Sequence, residues 1–321
     1  MASAKGDRPA SPCVRVAYQG APGAYSEGAV LRYWRGAVEP VPMATFADVA
    51  RAVERGTVEL GLLPFENRVA GVIAASCDAL ADALEAGGRI RVVGETSVPV
   101  RHCLLAPPGA TIQAVARVMS QPVALAQCGR FLSAHAWMAA VDAYDTAGAA
   151  RDVAAAGDPT TAAIASRQAA ERYGLAVLAE GIEDRPGNRT RFLAVGATPA
   201  PPPDGLPART ALLARWAGDA RSLRRAVRRA LGRAARGVDA NQRLRARVLS
   251  WPAPRSGEGA ASGRALVLLD HAAGSASGRA AVRALASEAG PLNVAGTYAW
   301  PAHRAAPVSR SRSPSSPRTS R

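Results

Sequence analysis

The segment VRVAYQGAPGAYSEGA, residues 14–29, reads as a β-rich apolar run, a loop holding Gly20 and Gly23, and a helix with Ser26 as its expected N-cap. An apolar run that turns on glycines directly into a helix is the first half of a strand–helix–strand unit. The alternation repeats downstream. LGLLPF (60–65) precedes a helix around Ser76–Ala86, and RVVGE (91–95) and HCLLA (102–106) precede a helix expected over Ala114–Met119. Up to about Val195 the pattern predicts an α/β fold with a largely parallel sheet.

The run VGATPAPPPDGLPAR (195–209) interrupts this pattern, because consecutive prolines remove donors and favour extended linkers. Beyond it, TALLARW (210–216), a helix over Arg221–Arg236, RARVLSW (245–251), RALVLLD (264–270), a helix over Gly278–Glu288 and NVAGTYAW (293–300) give the order βαββαβ. That order is the ferredoxin-like pattern of an α+β domain. The tail from Pro301, rich in Ser, Pro and Arg, and residues 1–13 are expected to be disordered.

Among the 321 residues 48% are hydrophobic, enough to bury a real core, so wholesale disorder is excluded. The net charge of +15 is unevenly spread. Residues 1–209 hold 20 basic and 20 acidic side chains, and residues 210–321 hold 20 basic and 5 acidic. Arg221, Arg224, Arg225, Arg228 and Arg229 fall on one helical face, either a solvated face or a surface for polyanions. No DNA-binding motif accompanies them, so no specific nucleic-acid partner is expected. No apolar run approaches the roughly 18–20 residues that span a bilayer, so no membrane role is expected. The cysteines (Cys13, Cys77, Cys103, Cys128) and the four histidines are too scattered for a disulfide framework or a metal site, and no cofactor is implied.

Five constellations could carry chemistry. The Gly20–Ser26 loop can bring backbone N–H groups to an anion, or be a plain tight turn. LGLLPFENRVAG (60–71) places Glu66 and Asn67 at a strand's carboxyl end, where open α/β sheets bind ligands, although Asn67 could simply cap a loop. VMSQPVALAQCGRFL (118–132) holds Ser120 and Gln127, with Ser120 equally readable as an N-cap. YDTAGAARDVA (144–154) puts Asp145 and Thr146 at a helix start, suited to an anion or to capping. EDRPGNRTRFLAV (183–195) sets Asn188, Thr190 and Arg191 before a strand, where an Arg fork suits a carboxylate.

In chain order, AYQGAPGAYSE, LPFEN, HCLLA, the ALAQC stretch, DTAGAA, AAIASRQAAERYGL and NRTRF resemble the prephenate dehydratase family, including the plant-type arogenate dehydratases. The resemblance runs over about residues 14–196, and the region after the linker resembles an ACT regulatory domain. It implies two α/β lobes of the type II periplasmic-binding-protein kind, formed by about 14–94 with 177–196 and by about 95–176. The implied activity is a cofactor-free decarboxylating dehydration, prephenate to phenylpyruvate or arogenate to phenylalanine. The alternative is a catalytically impaired ligand-binding or regulatory paralogue.

The resemblance implies that Thr190 takes part in leaving-group protonation, with Glu66, Asn67 and Gln127 catalytic. It implies substrate contacts from Ser120, Thr146, Arg191, Gly20 and Phe192. On pKa grounds a desolvated Glu66 would suit proton donation better than a threonine hydroxyl. Two departures, Arg68 after Asn67 and Gln121-Pro122-Val123 after Ser120, are expected beside the cleft rather than on it. The implied phenylalanine effector site falls on Ser222, Leu223 and Ser250 in degenerate form. A homodimer or homotetramer is expected. So is a cytoplasmic location, or the plastid stroma if a transit peptide has been removed.

Overall fold

The computed structural model describes residues 13–35, 38–236, 244–252, 263–289 and 292–300. The two termini expected to be disordered lie outside these residues, apart from Cys13, which is exposed.

The chain opens with β1 (Val14–Gln19), α1 (Tyr25–Trp34), β2 (Val38–Met43), α2 (Phe46–Glu54), β3 (Leu60–Asn67), β4 (Gly71–Val72), α3 (Ala74–Glu85) and β5 (Arg91–Pro99). It continues through β6 (Cys103–Ala106), β7 (Arg117–Ser120), α4 (Pro122–Gln127), α5 (Gly129–Ala134), β8 (Ala139–Asp142) and α6 (Thr146–Ala156). Then come β9 (Thr161–Ala165), α7 (Arg167–Tyr173), β10 (Ala176–Glu180) and β11 (Arg189–Gly196). The last part holds β12 (Pro207–Trp216), α8 (Ala220–Ala234), β13 (Arg245–Pro252), β14 (Gly263–Ala272), α9 (Ala276–Ala289) and β15 (Leu292–Ala299).

Local chemistry explains several of the boundaries. Thr45 and Asp48 form a reciprocal capping box on α2, Asp145 and Ser166 cap α6 and α7, and Gly157 and Gly174 end those two helices in left-handed conformation. Ser26 is not a cap, since α1 starts from Ala24 with no side-chain cap. The helix expected at 114–119 is instead a short 3-10 turn followed by β7. Val115 and Val118 are fully buried there, and β-branched residues buried between β8 and β9 suit a strand better than so short a helix.

Among the described residues the strands form three sheets. The first runs β2-β1-β3-β11-β5 with β4 against β3, the second β10-β6-β9-β7-β8, and the third β13-β14-β12-β15. The first two are mixed rather than largely parallel. β11 runs antiparallel to both β3 and β5, and β6 runs antiparallel to both β9 and β10. The cause is that the chain leaves the first lobe along β5 and re-enters it along β11, so neighbouring strands carry it in opposite directions. Sheet membership therefore changes between Pro99 and Cys103 and between Glu180 and Arg189. The family resemblance implies these changes at about 94 and 176, so β5 moves to the first lobe and β10 to the second.

The third sheet is antiparallel throughout, with both long helices on one face, which is the ferredoxin-like arrangement. Its other face is not open to water. Leu213, Trp251, Leu266 and Tyr298 share a core with Phe65, Leu80, Leu84 and Leu193 of the first lobe. Arg264 bridges to Asp78, Asp82 and Glu85 on α3, and the Trp251 indole donates to Asp78 at 2.8 Å. Gly296 is required where β15 passes β5, because a Cβ there would stand 2.1 Å from the Val92 carbonyl oxygen. On α8 the buried stripe of Leu223, Ala226, Val227 and Ala230 leaves Arg221, Arg224, Arg225, Arg228 and Arg229 exposed, as the helical spacing predicts.

Candidate active site

A cleft of about 410 Å³ opens between the first two sheets, lined by the Gly20–Ser26 loop, the end of β3, the start of β11, α4 and the start of α6. Its centre is the register pair Asn67 and Thr190 on adjacent antiparallel strands. The Asn67 amide is fixed in orientation, because its Oδ1 accepts from the Val69 and Ala70 N–H groups, both at 2.9 Å. Its Nδ2 therefore donates to Thr190 Oγ1, at 3.0 Å. With its oxygen accepting from Asn67, the Thr190 hydroxyl keeps its proton for the cleft. Asn67 is thus both the loop cap and the partner of Thr190.

Gln127 lies across the cleft. Its Oε1 receives the Asn188 Nδ2 at 3.2 Å and the His102 Nε2 at 3.0 Å, which leaves the amide N–H groups as what Gln127 presents to a ligand. Behind them the Tyr25 hydroxyl donates to the Arg101 carbonyl at 2.6 Å and lies 3.1 Å from His102 Nδ1. Gly20, with φ at +117° and its N–H on the Met43 carbonyl, lets the loop pass close to the cleft. Thr146 and Phe192 also line it. Phe192 pairs in register with Pro64 and closes the apolar floor.

Three expected site residues lie elsewhere. Glu66 and Arg191 are a register pair like Asn67 and Thr190, but strand alternation sends them to the opposite face. There Arg191 bonds Glu66 at 3.0 Å, Glu95 at 2.9 Å through Nε, and stacks over the Phe65 ring. Glu66 also pairs with Arg247 from the C-terminal sheet. Glu66 is therefore not a proton donor in the cleft, and Arg191 is not a carboxylate fork there. Ser120 is fully buried and donates to the Ile164 carbonyl at 2.6 Å, so it ties β7 to β9 and neither caps a helix nor meets a ligand.

In the C-terminal domain, Leu223 is wholly buried in the helix–sheet core. The Ser222 hydroxyl is engaged with the Asp219 carbonyl and the Trp216 indole. Neither is available to an effector. Ser250 shares the helix-facing side of β13 with Ala246 and Val248.

Gln121 and Val123, expected beside the cleft, line it. Tyr25 and His102 also line the cleft, although neither stands out among the sequence constellations and His102 only opens the HCLLA run. A histidine at the mouth of a buried strand was the signal available. The nearby thiols offer no nucleophile, since burial pushes Cys103 up to about 11 and Cys128 up to about 12.

Burial draws the His102 imidazole below its ordinary 6.5, outweighing the opposing bond to Gln127 and the charge of Glu183. A buried neutral imidazole binds a proton less readily than the unfolded chain does. Stability is therefore full above about pH 6.5 and declines as pH falls toward the lowered native value. Replacing His102 with Gln, a neutral donor, should remove that segment from a plot of Tm against pH. An unchanged plot would show that His102 is not its source.

The prephenate dehydratase family model matches residues 16–200. Arogenate dehydratase 5, chloroplastic, of Arabidopsis thaliana is 42% identical over 201 residues, which are 62% of this chain and 46% of that relative. The chain thus spans about half the length of the curated relatives it matches. The prephenate dehydratase of Arthrobacter aurescens, solved with L-Phe, superposes with TM-score 0.74 at 25% identity, covering 92% of this chain and 93% of that one. GqqA, described as a novel type of quorum quenching acylase, superposes with TM-score 0.72 at 30% identity, covering 89% of this chain and 97% of its own. The family match covers more than half of the chain and includes the strand pair that sets Asn67 against Thr190, so the chain belongs to the prephenate dehydratase family.

Proposed function

We propose that this chain is a decarboxylating dehydratase of L-phenylalanine biosynthesis, converting prephenate to phenylpyruvate and/or arogenate to L-phenylalanine. The observation that carries the reading is the Asn67–Thr190 pair, a hydroxyl whose oxygen is already hydrogen-bonded and whose proton is free in a cleft lined by a second fixed amide, Gln127.

The reaction needs positioning and one proton. The ring carboxylate's C–C bond breaks to release carbon dioxide, its electron pair forms the last double bond of the aromatic ring, and the ring C–O bond breaks. The departing oxygen takes up a proton from solvent to leave as water. Thr190 donates a hydrogen bond to that oxygen as negative charge develops on it, with Asn67 holding the hydroxyl in place. The Gln127 N–H groups and the Tyr25 and Ser26 N–H groups in the first turn of α1 bind carboxylate oxygens, and Phe192 and Pro64 pack against the ring. The test is to supply each substrate and follow phenylpyruvate by absorbance and phenylalanine by chromatography. Formation of neither product would overturn the reading.

The C-terminal domain is read as an ACT-type regulatory domain. Its ferredoxin-like strand order supports this, as does its superposition within the L-Phe-bound Arthrobacter relative. L-Phenylalanine is its candidate effector, through contacts other than Leu223 and the Ser222 hydroxyl. Homodimers or homotetramers would use the edge strands of this sheet. A plastid location is supported by the chloroplastic relatives, which lend no support to the cytoplasmic expectation.

A further inference from the structure

The two substrates of the proposed reaction differ at one group. Prephenate ends in a keto acid, and arogenate ends in an amino acid whose ammonium offsets one of its two carboxylates. Among the described residues lining the cleft, the only carboxylate is that of Asp145, and no arginine or lysine is present.

Asp145 is the N-cap of α6 and stands beside Thr146 at the cleft wall. Its Oδ1 accepts from the Gly148 N–H at 2.6 Å, and its Oδ2 accepts from the Ala21 N–H of the facing lobe at 3.0 Å. A carboxylate accepts about four hydrogen bonds, so lone pairs remain on both oxygens. An ammonium brings three donors to such a group. A keto oxygen brings only lone pairs, and acceptor then meets acceptor. The start of α6, suited by its N–H groups to an anion, already holds a carboxylate of its own.

We propose that Asp145 is the specificity-determining residue that receives the α-ammonium of arogenate, so that the cleft selects the amino-acid substrate over the keto acid. The proposal rests on the dehydratase reading above. A charge-assisted bond of this kind is worth about 10- to 100-fold in kcat/KM.

The experiment measures kcat/KM for arogenate and for prephenate on the full chain and on Asp145→Asn, with Asp145→Ser as a second uncharged cap. Asn and Ser both keep an acceptor for the Gly148 N–H, and thermal melts identify any variant that has lost its fold. The expected result is a native preference for arogenate, with the ratio of the two kcat/KM values shifting about 10- to 100-fold toward prephenate in both variants. Equal use of the two substrates by the native chain would overturn the proposal. So would an equal loss on both substrates in the variants, which would reduce Asp145 to a cap and a tie between lobes. If the native chain turns over neither compound, the dehydratase reading falls by itself. Calorimetric binding of the two compounds to the native and Asp145→Asn chains then decides the Asp145 assignment, and equal affinities for both would overturn it.

Discussion

Replacing Thr190 with valine should slow turnover of either substrate by about 10²- to 10⁴-fold with little change in KM. Valine keeps the shape of this nearly buried side chain and removes only the hydroxyl. The hydroxyl matters most in the transition state, when the leaving oxygen carries charge, so the loss belongs in kcat. A stability cost of about 1–3 kcal/mol is also expected, because the Asn67 Nδ2 loses its acceptor at a buried position. Thr190→Ser restores the hydroxyl and should recover part of the rate. Steady-state kinetics with both variants checks this, and a normal rate in Thr190→Val would remove Thr190 from the chemistry.

Glu95→Ala should be the most damaging change outside the cleft, costing about 3–5 kcal/mol. Glu95 is 1% exposed. Its Oε1 accepts from Arg191 Nε at 2.9 Å, and its Oε2 accepts from Arg209 Nη1 at 2.9 Å and from the Tyr298 hydroxyl at 3.2 Å. Removing it leaves two largely buried guanidiniums facing each other, with Arg209 still held by Asp270 and Arg191 by Glu66. The damage should extend beyond stability. Arg209 and Tyr298 belong to the C-terminal sheet, while Arg191 lies on β11 between Thr190 and Phe192, so Glu95 joins that sheet to the strand that shapes the cleft. Denaturant titration should show the loss, and proteolysis within residues 197–206 should speed up as the C-terminal sheet loosens from α3 and β5. A loss below about 1 kcal/mol would show that the pairs on either side suffice without Glu95.

Ion pairs across the same contact hold part of the unbalanced charge. Of the arginines after residue 209, Arg215, Arg247 and Arg264 are structural, since each pairs with carboxylates of the first lobe. The exposed row on α8 is different. Arg229 and Arg233 share the single carboxylate of Glu288, and Arg221, Arg224, Arg225 and Arg228 extend the row in solvent. Among the described residues, part of the positive excess thus lies at the interface that joins the sheets and part on a solvated helix face.

The alternation of strands and helices was legible in the sequence because it depends on local signals. Glycine turns, Asp145 as a cap, the proline run before β12, and the apolar stripe of α8 all act within a few residues of themselves. The element misread at 114–119 shows where such signals fail. Its strand state comes from β8 and β9 on either side rather than from its own composition. The mixed direction of the first two sheets was hidden for a related reason, since it follows from the path of the chain between lobes.

The site divided along the same line. Asn67, Gln127, Thr190, Thr146, Gly20 and Phe192 were legible as ordered motif residues, and the structure brings them to one cleft. Glu66 and Arg191, each adjacent in sequence to a cleft residue, were read with their neighbours and belong to the opposite face. Ser120 was read with Gln127, and its hydroxyl closes a bond within the second sheet. The sequence by itself determined which chemical groups this protein has near its strand ends. Only the tertiary structure decided which of them meet a ligand, because successive strand residues point to opposite faces. The β11–β3 register shifts at Arg191/Phe192, so that Arg191 pairs with Glu66, Phe192 pairs with Pro64, and Phe65 is the extra residue.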